Sequence, residues 1–201
     1  MKPYSQACDN NKVPILNAIS SHFSLCRNVL EIGSGTGQHA VFFAENLPAL
    51  CWHTSDRIEN HVGISQWIEE SNLSNIEFPI ELDVESDEWP ISSFDGVFTA
   101  NTCHIMHWHM VVAMVEGVKR LLSADGLFII YGPFNYNRDY TSESNQRFDN
   151  MLKQRDPGSG LRDYEDVELL ARNNSFSLVR DVAMPANNRL LIFKKTQLSS
   201  V

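Results

Sequence analysis

A chain of 201 residues, 43% hydrophobic and 20% charged, is long enough to bury a substantial core and has the make-up of an ordinary globular domain. Its net charge of −9 argues against a surface built for nucleic acid or an anionic membrane, both of which need clustered lysine and arginine. No apolar run reaches membrane-spanning length, the first residues lack the apolar stretch of a secretion signal, and Cys8, Cys26, Cys51 and Cys103 form no CxxC pair, so the expectation is one cytoplasmic domain over 1–201 with reduced thiols.

In chain order, residues 11–23 read as an amphipathic helix, with Pro14 in its first turn and Ile15, Leu16, Ile19 and Phe23 on one face. A short buried strand over 28–32 runs into glycines at alternate positions, Gly33-Ser-Gly-Thr-Gly37, and then a helix over 38–47 that stops before Pro48. A second strand over 50–55 ends at Asp56. A helix over 58–70 follows, with Ile58, Ile64, Trp67 and Ile68 as core positions. A third strand, 76–82, ends at Asp83, and a fourth covers 93–100. The helix over 108–122 carries the apolar stripe Trp108, Val111, Val112, Val115, Val118 and Leu122. Asp125-Gly126 then turns the chain into a fifth strand over 127–131.

Residues 133–162 differ: they are polar and aromatic, hold Pro133, Pro157, Gly158 and Gly160, and accommodate only a short helix near 144–154. A helix over 163–173 and strands over 176–182 and 189–194 complete the chain. Strands alternating with helices imply a three-layer α/β sandwich around a seven-stranded, mostly parallel sheet. The link between the final strands is too short for a crossover helix, so the last strand is expected antiparallel, in a hairpin at the sheet edge.

In such a sheet, ligands bind beyond the carboxyl ends of the strands. Glu31 to Gly33, Asp56, Asp83 and Asn101 to His104 all fall at strand ends. A carboxylate at Asp56 suits the two hydroxyls of a ribose; one at Asp83, with the Val84 N–H beside it, suits an adenine edge. Helix N-capping is the competing role for both acids. The turn departs from the dinucleotide fingerprint G-x-G-x-x-G: its third glycine, Gly37, comes one residue early and Gln38 stands where that fingerprint has glycine.

The form Glu31-Ile-Gly33-Ser-Gly35-Thr-Gly37 resembles the first motif of class I S-adenosylmethionine-dependent methyltransferases. The likeness continues through Asp56, Leu82-Asp83, Phe94-Asp-Gly-Val-Phe98 and Leu122-Ser-Ala-Asp-Gly-Leu127 in the same order. More narrowly, the chain resembles the methyltransferase-like family catalogued as a domain of unknown function. The residues concerned are Tyr4-Ser5, Asn10, Pro14-Ile-Leu16, Gly33 to Ala40, Tyr131-Gly-Pro-Phe-Asn135, Asp156-Pro157, Arg162-Asp163 and Met184-Pro-Ala-Asn-Asn188. The resemblance implies a Rossmann-like methyltransferase fold with S-adenosylmethionine as cofactor, held by Glu31, Gly33, Ser34, Gly35, Gly37, Asp56, Asp83, Val84 and Asn101. Glu31 would serve the amino-acid end of that cofactor. The resemblance supplies no acceptor.

Methyl transfer needs a nucleophile held in line and shielded from water. His104 and Tyr131, after the fourth and fifth strands, are the expected catalytic pair, and Phe134, Asn135 and Asn187 the expected substrate contacts. His107 and His109 mix loop and helix spacing, which suits surface or capping roles better than a metal site, and Cys103 reads as a small buried hydrophobe. The excursion 133–162 is the expected substrate cover. The first 27 residues are the other, with Tyr4, Ser5 and Asn10 over the cofactor. A small-molecule acceptor is favoured over nucleic acid or a membrane. An NAD-dependent oxidoreductase and a non-catalytic cofactor-binding module acting through a protein partner are the alternatives.

Overall fold

A computed structural model describes residues 2–90 and 92–196. Nine strands and six helices occur among them: α1 (Gln6–Ile19), β1 (Asn28–Ile32), α2 (Gln38–Asn46), β2 (Cys51–Asp56), α3 (His61–Ser71), β3 (Ile76–Glu81), β4 (Phe94–Ala100), α4 (Trp108–Leu121), β5 (Leu122–Gly132), β6 (Phe134–Asn135), α5 (Glu143–Arg155), β7 (Arg162–Asp163), α6 (Tyr164–Asn173), β8 (Phe176–Met184) and β9 (Asn188–Lys195). Seven strands form one sheet in the order β3-β2-β1-β4-β5-β9-β8. All neighbours run parallel except β9, which is antiparallel to both β5 and β8.

Alternate strand residues feed two cores, as the period-two geometry of a pleated strand requires. Leu30, Ile32, Phe128, Ile130, Leu191 and Phe193 pack against α4 and α6. Val29, Ile129, Tyr131, Leu190 and Ile192 pack against α1, α2 and α3 on the other face. The expected three-layer sandwich is therefore present, with the last strand antiparallel. The final hairpin does lie at the sheet edge, but its inner strand is β9: the crossover through α6 skips one position, and the one-turn link Pro185–Asn187 returns β9 into the gap between β5 and β8.

Several expected boundaries move for local reasons. Helix α1 begins at Gln6 because the Ser5 hydroxyl accepts from the Cys8 N–H and caps it, which puts Pro14 in mid-helix. Phe23 stays buried but in a separate single turn, Phe23–Leu25. Ile58, expected in the core, is 58% exposed on a short turn before α3. On α4 the buried stripe is Val111, Met114, Val115, Val118 and Leu121, with Trp108 at the exposed start, and Leu122 already belongs to β5. The Asp125-Gly126 turn is a bulge within that strand, where Asp125 takes a φ of 63°.

The excursion after β5 is folded. At the centre of α5 the fully buried Asp149 accepts from the Tyr140 hydroxyl (2.6 Å), the Leu161 N–H (2.7 Å) and Lys153 (2.6 Å). Arg162 ties it to the loop after β4, donating to the Cys103 carbonyl at 2.9 Å and to the carbonyls of Met106 and Gly158. A parallel pairing of β6 with β7 closes this cover.

Candidate functional site

The site begins where β1 ends. The N–H groups of Gly33 and Ser34 both donate to the Ser55 carbonyl at 3.0 Å, which pins the turn to β2. Gly33, Gly35 and Gly37 all have positive φ (74°, 58° and 86°), a region that costs any residue with a Cβ. Their reasons differ. A Cβ on Gly33 would stand 2.6 Å from the Thr102 methyl, and one on Gly37 would stand 3.1 Å from the Ile64 Cα of α3. These two are spaces the protein itself fills. A Cβ on Gly35 would meet nothing closer than the Gly33 carbonyl at 4.0 Å, so this exposed residue borders open space.

Two acids flank that space. Glu31 is buried; its Oε2 accepts from the Ser34 hydroxyl (2.9 Å) and from the Trp52 indole N–H (3.2 Å), and among the described residues no donor reaches Oε1. Burial pushes its pKa up to about 7, against the two hydrogen bonds, with the Asp56 charge adding a smaller push. Asp56 caps no helix. Its Oδ2 accepts from the Gly35 N–H (2.7 Å) and its Oδ1 from the Arg57 N–H and the Asn60 amide (both 2.8 Å). A carboxylate offers about four lone-pair sites, so Oδ2 keeps one for a ligand hydroxyl.

Further along the crevice, Asp83 is exposed and closes a turn by accepting from the Glu85 N–H (3.1 Å), again without capping a helix. The adjoining Val84 side chain is buried, while its N–H meets no acceptor among the described residues. Asn101 takes a left-handed φ of 60° and donates its N–H to the Tyr131 carbonyl.

The N-terminal segment lies over the turn. The Ser5 N–H donates to the Gln38 side-chain carbonyl (2.5 Å), the Pro3 carbonyl accepts from the Trp67 indole (2.8 Å), and the Pro3 ring fills the space beside Gly63. Gln38, the residue that breaks the dinucleotide pattern, is thus the anchor for this strap. Tyr4 and Asn10, expected to face the cofactor, are exposed.

The expected acceptor residues divide. His104 is buried, its ring edge-to-face with Phe148 at 5.2 Å and without a hydrogen bond among the described residues, and desolvation with the nearby Arg162 charge pushes its pKa down to about 4. Its Nδ1 lies 3.8 Å from where a Gly132 Cβ would stand. Tyr131 points to the opposite face of the sheet, into the core with α1 and α2, where burial raises the pKa of its hydroxyl and the nearby Asn11 opposes that push. Successive strand residues face opposite ways, so Tyr131 and His104 do not share a wall. Phe134 likewise packs into the α4–α6 core, while its neighbour Asn135 keeps a buried Oδ1 without a partner. His107 pairs with Asp156 (2.8 Å) and His109 with Glu85 (2.9 Å), and no metal-holding group of three His, Cys, Asp or Glu side chains occurs among the described residues. The four cysteines are free, and burial lifts Cys103 to about 11.

Asn187, with a φ of 58°, lines a cavity of about 400 Å³ together with Tyr136, Thr141, Met184, Asn188 and Arg189. Sequence reasoning missed Tyr136 and Arg189. Arg189 donates through Nε to Asp181 (2.8 Å), whose other oxygen accepts from the Tyr136 hydroxyl (2.7 Å). Three residues so far apart in the chain carry no local signal; only the register that places Asp181 and Arg189 on neighbouring strands joins them.

No described helix is long and apolar enough to cross a membrane. Among solved structures, the fold is similar to an O-methyltransferase family protein from Burkholderia thailandensis (TM-score 0.84, 14% identity, covering 95% of this chain and 58% of that one). It is also similar to human N-acetylserotonin methyltransferase in complex with SAM (TM-score 0.81, 17% identity, 96% and 53%) and to PigF with SAH (TM-score 0.77, 19% identity, 96% and 64%). The chain spans a little over half the length of these proteins, and at such identities the likeness establishes a methyltransferase-like fold. A family model described as protein of unknown function (DUF938) matches residues 2–195, almost the whole chain, and the chain belongs to that family.

Proposed function

We propose that the protein binds S-adenosylmethionine at the glycine turn and transfers its methyl group to a small-molecule acceptor. The observation that carries this reading is Gly35: an exposed glycine of positive φ, held by Asp56 through its N–H, with open space where its side chain would be. The uncommitted Oε1 of Glu31 and the spare acceptor site on Asp56 flank that space, and nothing in it calls for a phosphate. Solved proteins of the same fold hold SAM or SAH, which supports the choice of cofactor.

The cofactor, when bound, supplies a methyl carbon on a cationic sulfur, which an in-line lone pair takes as the carbon–sulfur electron pair returns to sulfur. In this reading Glu31 complements the positive amino-acid end, Asp56 accepts from the ribose, and Asp83 with the Val84 N–H reads the adenine edge. The exposed Ile58, two residues beyond Asp56, would offer the adenine an apolar flank in this reading. The strap over residues 2–5 and the excursion after β5 keep water out. His104, neutral down to about pH 4, accepts the hydrogen bond of an acceptor O–H or N–H and aligns its lone pair. So low a pKa sends the proton on to solvent. The free thiols suit a reducing compartment such as the cytoplasm.

Calorimetry with S-adenosylhomocysteine tests the reading. Wild-type protein is expected to bind it at micromolar strength, and Asp56→Ala to bind about tenfold or more weakly, the loss of a charged hydrogen bond. Absence of heat at saturating ligand, with the wild-type protein folded by circular dichroism, would overturn it.

A further inference from the structure

The cavity beside the β8–β9 turn carries information about the acceptor itself. Its volume, about 400 Å³, sits near the small end of ligand sites, which run to about 300–1,000 Å³. It opens at the carboxyl ends of the parallel strands, the edge that also carries the glycine turn. Arg189 is the direct partner of Gly132 in the β5–β9 ladder, so its side chain and the missing side chain of Gly132 lie on one face. His104 Nδ1 lies 3.8 Å from that same missing Cβ. Gly132, buried just beyond the cavity's own lining, therefore stands between Arg189 and His104 on one face of the sheet.

The state of Arg189 points to a ligand class. Its guanidinium is held along one edge only, by the Nε hydrogen bond to Asp181, and lies 5.4 Å from the centre of the Tyr136 ring. Asp181 in turn is fixed by the Tyr136 hydroxyl. Among the described residues no carboxylate takes the two Nη groups, which form a planar fork matching the two oxygens of a carboxylate. The rest of the wall adds uncharged polar groups from Thr141, Asn187 and Asn188 and apolar surface from Ala183 and Met184. Asp181 already balances the charge of Arg189, so what the cavity offers an anion is the guanidinium's second, Nη edge, preorganised by that ion pair.

We propose that the acceptor is a small carboxylic acid, bound as its anion with the carboxylate on the Nη fork of Arg189 and its methyl-accepting end lying over Gly132 toward His104. The assignment of that end rests on the methyl-transfer reading; the carboxylate site does not. The test uses the full-length chain and a panel of probes, acetate, benzoate, 3,4-dihydroxybenzoate and indole-3-acetate, each against its neutral amide. Binding is read by ligand-detected NMR with and without S-adenosylhomocysteine, whose own binding is measured separately. At least one carboxylate is expected to bind at millimolar concentration or below, with its amide about tenfold or more weaker. Arg189→Gln and Arg189→Lys are expected to abolish that preference, since lysine keeps the charge but not the fork.

Should Arg189→Gln fail to fold, Arg189→Lys with a wild-type melting profile decides. Equal binding of acid and amide, no binding by any acid of the panel, or a preference unchanged in the Arg189 variants would each overturn the proposal. An Arg189-dependent preference in a protein that binds no S-adenosylhomocysteine would uphold the carboxylate site while removing the methyl-transfer reading.

Discussion

Glu31 is the residue at which burial and ligand charge oppose each other most directly. Its pKa is raised from 4.5 to about 7, mainly because water is excluded from it. A raised carboxyl contributes stability that is fully present below its unfolded pKa and lost as pH rises through the folded value. The unliganded protein therefore gives up on the order of 3 kcal/mol at this group between about pH 4.5 and pH 7 and above. A cationic ligand beside Oε1 reverses the preference by favouring the carboxylate. S-adenosylhomocysteine, whose amino group is also positive, is expected to bind about tenfold more weakly near pH 6 than near pH 8. Glu31→Gln should flatten that dependence, and a pH profile that survives the substitution in calorimetry would place its origin elsewhere.

At the scale of elements, the three glycines of the β1–α2 turn separate folding from binding. Gly37→Ala would force a methyl to within 3.1 Å of the Ile64 backbone and 3.3 Å of the Trp67 Cβ, in an unfavourable φ. It should cost about 2–4 kcal/mol in denaturant unfolding, combining left-handed strain with overpacking of α2 on α3. Gly35→Ala meets only the Gly33 carbonyl, at 4.0 Å, so it should cost only about 1 kcal/mol of strain yet abolish cofactor binding. The reverse ranking in stability would show that the open space has been misassigned.

This turn was legible in the sequence because strand, glycines and helix are contiguous and each obeys a local rule. The sheet was legible for the same reason, and so were the acids at its strand ends. The start of α1 was hidden because Ser5 caps it well ahead of the apolar stripe that advertises the helix. The orientation of Tyr131 follows from period two only once the neighbouring strands are in register, and the Tyr136–Asp181–Arg189 constellation exists only through long-range pairing.

For the whole molecule, a ligand that binds only the folded chain stabilises all of it. At a hundredfold excess over its dissociation constant, S-adenosylhomocysteine should add about 2.7 kcal/mol and raise the melting temperature by about 5–10 °C for a chain of this size. NADH at comparable excess should leave the melting temperature unchanged, and a rise with NADH alone would restore the oxidoreductase alternative. The overall charge of −9 also favours approach of the proposed cationic cofactor over the proposed anionic acceptor, so holding the latter would fall to a local group.

The strap has a practical consequence for anyone handling the protein. Pro3 and Ser5 are tied to Trp67 and Gln38, so any affinity tag or fusion partner placed ahead of Lys2 starts beside the glycine turn, where the proposed cofactor would bind. The other end leaves elsewhere: Lys195 pairs with Phe176 at the start of β8 and donates to the Lys119 carbonyl, at the amino-end edge of the sheet. A tag following Thr196 therefore departs on the far side of the molecule, and binding measured on the two tagged forms need not agree.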